Sequence, residues 1–531
     1  MRHKKDGQKN SMPVKKSGIA AIVVFLIILL VCIMFTANDF PGTHYFFKEG
    51  QISREDVYAP FDFSFRDAGG KTVDVIKNEL IVERGKRIDK TQELATVQLD
   101  SVHRESKNWY YFLGICSLLI IFAVIIVTYA SVYMPPALFE TKNIVLLCLL
   151  TLLITLAAKA IIMVSWPLYL IPLASMSMLT AILIDPGIAL MMTLVAGIFI
   201  GVLTGLRFDM VLIMLAGGVV SIYSVLNVRR RRDLTKAGFL IGLTNMMAII
   251  VAGLINFVSI NDLVVESSWG LLNGIASAII VNGVLNVFEI VFGITTNISL
   301  LELSDLNQPV LKELVLKAPG TYHHSLVVGN LSESAAEAVG ANTLLARVGA
   351  YFHDIGKLRM ATYFSENQPQ AENKHDNLSP TISSLIIINH IKEGADLAKK
   401  YRLGKAIYDI IIQHHGNDVV HYFYHRALEQ RGVQDNMIQA EDFRYPGPKP
   451  QSKEAAIVML ADSVEAASRA IPQPTPEKIK DLVHRIINNK FIDGQLDDCN
   501  LTLKDLHDIS GVFIHILNGI FHTRVEYPDP K

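Results

Sequence analysis

The stretch GAYFHDIGKL, residues 349–358, places His353 and Asp354 side by side in an otherwise apolar segment. Ionisable side chains in such a segment cost stability unless they find a partner or bind a metal ion. Gly356 and Lys357 follow at once. The stretch therefore indicates one part of a site, and the remaining parts must come from elsewhere in the chain.

The hydrophobic residues of the chain are concentrated in two regions. Of the 531 residues, 51% are hydrophobic, and the mean hydropathy of +0.34 is high for a soluble protein. The apolar runs fall in 18–36 and 109–293, and a run of about 18 or more apolar residues can cross the roughly 30 Å hydrocarbon layer of a bilayer. The sequence therefore predicts an integral membrane protein with two water-facing parts, residues 37–108 and 294–531.

We expect about eight membrane-spanning helices that form an α-helical bundle, seven of them within 109–293. The predicted spans are 18–36, 109–133, 144–164, 168–185, 187–205, 208–226, 236–255 and 269–293. The first span is interpreted as an uncleaved anchor. A cleaved signal peptide is the alternative, but the run is long and lacks a clear small-residue cleavage site.

Basic residues predict the orientation of these spans. Lys and Arg are frequent in residues 1–17, and residues 229–232 read RRRR. Cytoplasmic loops carry an excess of Lys and Arg, and a threading of eight spans puts both clusters in the cytoplasm. Residues 37–108 then lie outside the cytoplasm, and everything after residue 293 lies within it.

The water-facing parts differ in pattern. Residues 37–108 contain an alternating strand-like stretch and a helix-like stretch, which predicts a small α+β extracytoplasmic domain. Residues 294–318 read as a helical linker, and 319–531 read as helical almost throughout, which predicts an all-α cytoplasmic domain. The few ionisable residues within spans lie near span ends, and we see no internal repeat, which argues against a transporter. The bundle is expected to anchor the soluble domain or to sense an unknown ligand. The outer domain is expected to bind an unknown ligand or only to pack on the bundle.

The C-terminal domain combines histidines and aspartates in helix-like, apolar surroundings. The candidates are His324, His353, Asp354, His390, His414, His415 and Asp462. Imidazole and carboxylate groups are usual ligands of zinc, iron and manganese. Seven such groups are too many for one tetrahedral site and suit two octahedral metal ions that share a bridging carboxylate. The alternative is a set of unconnected core histidines.

Several motifs carry a resemblance to a known family. HDIGK, with a His upstream and the Asp of LADSVEA downstream, resembles the HD superfamily of metal-dependent phosphohydrolases. APGTYHHSLVVGNL, HDNLSPTISSLIIINHIKEG, IIQHHG and FRYPGPKPQSKEAAIVMLADSVEAASR are similar to the bacterial seven-transmembrane HD family of cyclic-di-AMP phosphodiesterases. The resemblance covers roughly residues 109–531. Members of that family commonly have a much longer extracytoplasmic domain after the first span, whereas the corresponding segment here is residues 37–108.

The resemblance implies a protein of the bacterial cell membrane. Its cytoplasmic domain would hold a dinuclear site with manganese or iron. One metal would be held by His324, His353, Asp354 and Asp462, and the other by His390, His414 and His415, with Asp354 as the bridge. His323 is the rival of His324 at its position. The same match implies that Asp354 and Lys357 are catalytic, with the Lys357 ammonium facing the substrate phosphate; a surface lysine is the alternative.

A cyclic dinucleotide has two phosphates and two bases to recognise. Arg444 and Lys453 offer positive charge and Tyr445 offers a stacking surface, although each is more often a solvated or packed side chain. Residues 294–531 hold 24 Lys and Arg against 29 Asp and Glu, which excludes the broad basic surface typical of proteins that bind long nucleic acid.

The resulting hypothesis is a membrane-anchored phosphodiesterase that converts cyclic-di-AMP to linear pApA. Cleavage of cyclic-di-GMP or dephosphorylation of another nucleotide is the rival chemistry, and a receptor that binds nucleotide without turnover is the rival from another class. The complete ligand set argues against the receptor. A homodimer is left open as a further partner.

Overall fold

The computed structural model describes residues 47–105 apart from 52, 54, 55 and 84, single positions between 113 and 128, and residues 140–521 apart from 205, 206, 369–372 and 432–437. The chain divides into two compact units, residues 1–286 and 287–531. The expected cytoplasmic N-terminus 1–17 and the expected anchor 18–36 lie outside the described residues, as does most of the expected span 109–133.

The segment before the membrane helices contains short strands and one helix. These are β1 (Val57–Tyr58), β2 (Phe63–Arg66), β3 (Thr72–Val75), β4 (Leu80–Val82) and α1 (Lys90–Glu105). The strands form two antiparallel pairs, β1 with β4 and β2 with β3. In β2, Phe63 and Phe65 are buried while Ser64 and Arg66 are exposed, because successive side chains of a strand point to opposite faces. The aromatic face packs on a small apolar core that includes Leu99 of α1.

The apolar region folds into helices. They are α2 (Thr141–Met163), α3 (Leu173–Leu183), α4 (Pro186–Leu203), α5 (Phe208–Val225), α6 (Arg231–Ile255) and α7 (Ile260–Phe292). Five of them, all except α3, are long and apolar enough to cross a membrane. The described helices therefore make this a multi-pass membrane protein.

The expected span 168–185 differs from a single straight helix. It begins with a 3-10 turn at Leu168–Leu170, and α3 proper has only 11 residues. Pro167 and Pro172 flank the turn, and proline lacks the backbone N–H that a continuous helix requires. The apolar run has the length of a span, but the prolines interrupt its helix.

Small and hydroxyl residues bring the membrane helices close together. Ser177 of α3 and Thr193 of α4 share a 2.6 Å hydrogen bond between their hydroxyls. A Cβ atom on Gly218 of α5 would collide with the Thr193 methyl group. Close helix packing through small residues is a general means of stabilising helices in a membrane, where the hydrophobic effect does not drive their association.

The regular secondary structure described in the second unit is helical, apart from an isolated β-bridge between Val419 and Arg444. Its α-helices are α8 (Asn297–Leu303), α9 (Pro309–Lys317), α10 (Pro319–Ala338), α11 (Thr343–Phe352), α12 (Pro380–Lys400), α13 (Lys405–Gln413), α14 (His421–Arg431), α15 (Lys453–Arg469), α16 (Pro476–Ile492) and α17 (Leu503–Ile520). 3-10 segments lie at Ile355–Tyr363, Ser365–Asn367, Lys374–Asn377 and Ala440–Phe443.

The expected linker 294–318 packs into the core of this unit. Leu300 of α8 and Leu311 and Leu314 of α9 are buried in one apolar cluster with Phe352 and Ile355. The helices α8 and α9 are therefore built against the segment that carries His353 and Asp354, and they are part of the domain and not a free tether.

The helix α11 is buried on two sides. Ala346 and Ala350 lie in one hydrophobic cluster, whereas Val348 and Phe352 lie in the other. Because close-packed interiors leave little room for movement, the end of α11 is held firmly, and His353 follows directly after it.

Candidate metal centre

The sequence-predicted ligands lie at helix ends and on the inner faces of helices. His353 and Asp354 follow α11, and His414 and His415 follow α13. The other ligands, His324, His390 and Asp462, project from α10, α12 and α15. All seven are buried except His415, which is half-buried. The fold thus brings together residues that are up to 138 positions apart.

Four of these residues form the first cluster, which we name the His324 group: His324, His353, Asp354 and Asp462. Their ligand atoms all lie within 4.8 Å of one another. His324 Nε2 is 3.0 Å from Asp462 Oδ1 and 3.6 Å from Asp354 Oδ2. His353 Nε2 is 3.2 Å from Asp354 Oδ2.

The second cluster, the His390 group, consists of Asp354, His390, His414 and His415, again with ligand atoms within 4.8 Å. Asp354 Oδ1 is 3.4 Å from His390 Nε2 and 3.7 Å from His414 Nε2. Asp354 therefore presents one oxygen to each group, which is the arrangement that a bridging carboxylate requires.

Backbone carbonyls fix the tautomer of three imidazoles. Nδ1–H of His353, His390 and His414 donates to the carbonyl of Ala350, Ile387 and Ile411, at 2.7, 2.5 and 2.8 Å. In a neutral imidazole the other nitrogen then carries the lone pair. Each of the three rings consequently turns Nε2 towards the cluster as a potential metal ligand.

His415 is oriented differently. Its Nδ1, and not its Nε2, faces Asp462 Oδ2 at 3.7 Å. Its ring stacks on Tyr445, with centroids 4.3 Å apart and planes 20° from parallel. Tyr445 is buried, so the ring that we expected to stack on a base packs against a candidate ligand.

The donor set fits divalent metal ions. Among the described residues, His353 Nε2 and Asp354 Oδ1 are buried without a hydrogen-bond partner. His390 Nε2 and His414 Nε2 face each other at 3.4 Å, although both Nδ1 protons are already donated to carbonyls. Two lone pairs turned towards each other repel unless a cation lies between them, and buried polar atoms rarely stay unpaired.

The pKa values of the cluster show how its charges interact. Burial by itself would lower the pKa of His353, but the adjacent Asp354 raises it to about 10. Burial opposes ionisation of Asp354, yet His353 and Lys357 hold its pKa well below the usual range. Burial, aided by His414, lowers the pKa of His390 to about 4 despite Asp354. Asp354 is thus an anion at neutral pH and His390 is a neutral imidazole.

Gly356 serves close packing. Its φ is not in the left-handed region. A Cβ atom there would instead collide with the carbonyl oxygen of His390 and lie 2.5 Å from the backbone nitrogen of Gly394. The absence of a side chain lets the segment after Asp354 pass directly against α12, which carries His390.

Lys357 lies partly buried beside the cluster, with 13% of its side chain exposed. Its Nζ lies 2.6 Å from Asp354 Oδ2 and 2.9 Å from Glu366 Oε1. Glu366 also accepts a hydrogen bond from the Thr321 hydroxyl at 2.9 Å, three residues before His324. Lys357 is therefore an ammonium group held between two carboxylates at the edge of the site, and not a surface lysine.

The remaining predicted residues lie outside the two groups. Arg444 donates to the carbonyl of Asn417 at 3.0 Å, just after His415 in the chain. Lys453, the first residue of α15, pairs with Asp505 at 3.0 Å. It lies nine positions before Asp462, which is about 13 Å along a helix. His323 is exposed, whereas its rival His324 is buried in the cluster.

Comparison with known proteins places these motifs in a family. Residues 109–296 match the family model described as "7TM receptor with intracellular HD hydrolase", and residues 321–467 match the HD domain. Over 470 residues, the chain is 36% identical to the cyclic-di-AMP phosphodiesterase PgpH of Bacillus subtilis (strain 168). The chain is thus similar to 7TM–HD proteins in both its membrane region and its C-terminal domain.

Further relatives show how much of this chain is similar to known proteins. A PgpH of Listeria monocytogenes is 34% identical over 475 residues. Each alignment includes 86% of this chain, but the chain spans only 65% and 64% of the two PgpH relatives. A crystal structure of the L. monocytogenes PgpH HD domain is 46% identical, with a TM-score of 0.39, and covers 41% of this chain and 100% of that domain. The same domain has been solved in complex with cyclic-di-AMP.

Two carboxylates near the cluster were not predicted from the sequence. Glu465 lies behind His324, with Oε2 2.5 Å from its Nδ1, and Glu366 lies behind Lys357. The spacing of Asp462 and Glu465 puts both on one face of a helix, which was a usable signal. For Glu366 we see no such signal, because it lies in a 3-10 turn far from any ligand in sequence.

Proposed function

We propose that this chain is a membrane-anchored, metal-dependent phosphodiesterase that hydrolyses cyclic-di-AMP to linear pApA. The observation that carries the proposal is the pair of clusters that share Asp354, in which His353 Nε2 and Asp354 Oδ1 are buried without a hydrogen-bond partner among the described residues. The names of the two PgpH relatives supply the substrate.

The His324 group would hold one metal ion and the His390 group the other, with Asp354 as the common ligand. When bound there, two divalent transition metal ions, manganese or iron, supply Lewis-acid activation of water and neutralise charge on the phosphodiester. Asp354, His324 and His390 hold the reacting centre in place. The partly buried Lys357 ammonium is positioned to donate a hydrogen bond to a phosphoryl oxygen that approaches Asp354.

Arg444 and Tyr445 are proposed as the wall that recognises the nucleotide. Arg444 follows the 3-10 segment at 440–443, its side chain is one-third exposed, and it is anchored to the loop after His415. Tyr445 touches the cluster through His415. Lys453 is not part of this proposed wall, because its ammonium is paired with Asp505.

We further propose the topology that the basic residues favour: eight spans, an α+β domain outside the cytoplasm at 37–108 and the HD domain inside. The strands and helix described at 57–105 support the α+β assignment. A reporter fused after residue 70 should be extracytoplasmic, and one fused after residue 531 should be cytoplasmic. The opposite pattern would reverse the orientation.

The activity is tested with the purified full chain, Mn²⁺ and a panel of cyclic dinucleotides. We expect pApA from cyclic-di-AMP, with kcat/KM at least tenfold above that for cyclic-di-GMP, a margin of about 1.4 kcal/mol. Equal values would reject the cyclic-di-AMP assignment and leave the phosphodiesterase. Tight binding without any product would favour the receptor.

The Tyr445 wall is tested in the same assay. Tyr445→Ala should narrow the margin between the two dinucleotides or raise KM, whereas Tyr445→Phe, which keeps the aromatic face, should stay near the wild type. An unchanged margin and KM in Tyr445→Ala would remove Tyr445 from the recognition surface.

A further inference from the structure

Glu465 is a buried carboxylate behind the metal cluster. It is 3% exposed and lies one helical turn after Asp462 on α15. Its Oε2 is 2.5 Å from Nδ1 of His324, on the side of the ring that faces away from Asp462. The imidazole therefore lies between two carboxylates of the same helix, one on each nitrogen.

Both oxygens of Glu465 are engaged. Arg469, four residues later on α15, lies with Nε 2.6 Å and Nη2 2.5 Å from Oε1, which leaves Oε2 to His324. A buried carboxylate is costly without partners, and this one has a guanidinium on one side and an imidazole N–H on the other. Arg469 thus holds Glu465 in the orientation in which it accepts the hydrogen bond from His324 Nδ1–H.

The partner of His324 differs from those of the other imidazoles. Nδ1–H of His353, His390 and His414 donates to a neutral backbone carbonyl of the preceding turn. Hydrogen bonds to an ionised acceptor are roughly twice as strong as those between neutral groups. A carboxylate on the far nitrogen fixes the tautomer and makes the near nitrogen a better metal ligand.

The two groups also differ in negative charge. The His324 group contains two carboxylates, Asp354 and Asp462, with Glu465 behind them. The His390 group contains Asp354 alone, shared with its neighbour, and three imidazoles. Both differences favour a cation at the His324 group.

We propose that Glu465 is the positioning residue for His324, and that it makes the His324 group the tighter of the two metal sites. The inference rests on the proposed dinuclear function of the cluster. A single metal then loads at the His324 group first, and the metal at the His390 group is the one lost first to a chelator.

The test isolates each group in the purified full chain. His390→Ala leaves the His324 group complete, and His324→Ala leaves the His390 group complete. Mn²⁺ affinity is measured for each by competition with a chelator, and bound metal is counted by elemental analysis. We expect the His324 group to bind more tightly, and adding Glu465→Ala should weaken Mn²⁺ binding by about 10- to 100-fold in the His390→Ala chain.

The same Glu465→Ala change should leave Mn²⁺ affinity within twofold in the His324→Ala chain. Glu465→Gln, which keeps the shape but removes the charge, should give a smaller loss at the His324 group and guards against misfolding in the alanine variant. Glu454→Gln, a glutamate near the start of the same helix that accepts a hydrogen bond from the backbone N–H of Asn342, is the matched control and should change neither affinity.

Unchanged Mn²⁺ affinity of the His324 group in both Glu465 variants would overturn the proposal, as would equal losses at the two groups. Hydrolysis of cyclic-di-AMP is measured separately on the wild type. A wild type that binds two Mn²⁺ ions without turnover would contradict the proposed activity while leaving the role of Glu465 intact.

Discussion

The two units of the chain bury polar side chains in different ways. Every buried polar residue described between 140 and 286 is a serine, threonine or asparagine. In the second unit the buried set also includes charged and titratable residues: Glu289, His324, His353, Asp354, His375, His390, His414, Asp462 and Glu465. Residues 140–286 and the second unit are both helical, so the difference between them lies in the residues and not in the architecture.

The partners of these groups explain the difference. In the membrane helices, hydroxyls bond the carbonyl one turn earlier, as Thr193 does with Ala189 and Thr151 with Leu147. Such a side chain satisfies itself within its own helix and packs against a neighbour. In the HD unit, buried atoms of His353 and Asp354 have no such partner among the described residues. Polarity serves helix packing in one unit and ligand chemistry in the other.

The sharpest way to break this comparison is to remove the shared carboxylate. Asp354→Ala should abolish hydrolysis, by roughly 10³-fold or more, because metal-ion catalysis contributes several kcal/mol and each 1.36 kcal/mol is tenfold in rate. Bound metal should fall below one ion per chain by elemental analysis. Asp376→Asn, at an exposed carboxylate that pairs with Arg426, is the control. Two retained metals with normal turnover would show that Asp354 is not the bridge.

A second prediction uses the protons of the two groups. The pKa of His353 is opposed by burial but raised by Asp354 to about 10, so before metal binds this imidazole is protonated at pH 7. Only the neutral ring coordinates, and metal binding must release that proton. Mn²⁺ affinity of the His324 group should therefore rise by about tenfold per pH unit between pH 6 and 8.

The His390 group should respond much less over the same range. Burial lowers the pKa of His390 to about 4, so this ring is already neutral above pH 6 and has no proton to release. The comparison is made by chelator competition in the His390→Ala and His324→Ala chains. Equal pH slopes in the two chains would mean that the two groups carry the same proton load.

Much of the HD site was predictable, because its ligands are chemically distinctive and sit in motifs. His324 was preferred over His323, and the structure buries it in the cluster. What escaped prediction depends on distances through space. The pairing of Lys453 with Asp505 joins α15 to α17, and the collision that excludes a side chain at Gly356 involves α12.

In the membrane region, too, the sequence predicted which segments are helical but not how the helices are interrupted or packed. Hydropathy located the apolar helices because it measures composition, and composition decides membrane residence. It could not show that Pro167 and Pro172 interrupt the run 168–185, although the prolines themselves were visible. Nor could the helical pattern of 294–318 show that Leu311 and Leu314 are buried against Phe352, since an amphipathic helix reads the same in a tether and in a core.

A third prediction sharpens the role of small residues in the bundle. Gly218→Ala should destabilise the membrane unit by about 1–3 kcal/mol, because its Cβ would overpack against Thr193. Gly283→Ala on α7 is the matched control. Among the described residues, no atom outside the adjacent backbone lies within 4 Å of a Cβ there, and alanine should be neutral or stabilising in a helix interior. Thermal unfolding of the full chain in detergent measures both, and metal content should be unchanged. Equal unfolding temperatures for the two variants would contradict the packing account.

The smallest expected effect is that of Lys453→Ala. The ammonium of Lys453 lies 3.0 Å from Asp505, and the two side chains are 31% and 15% exposed. Partly exposed ion pairs typically contribute about 0–1 kcal/mol, so unfolding should shift only slightly. KM for cyclic-di-AMP should change less than twofold, since the ion pair ties α15 to α17 and lies away from Asp462. Asp505→Asn breaks the same pair from the other side and should reproduce the small shift in unfolding. A tenfold rise in KM for Lys453→Ala but not for Asp505→Asn would restore Lys453 to the substrate surface and would extend that surface to the start of α15.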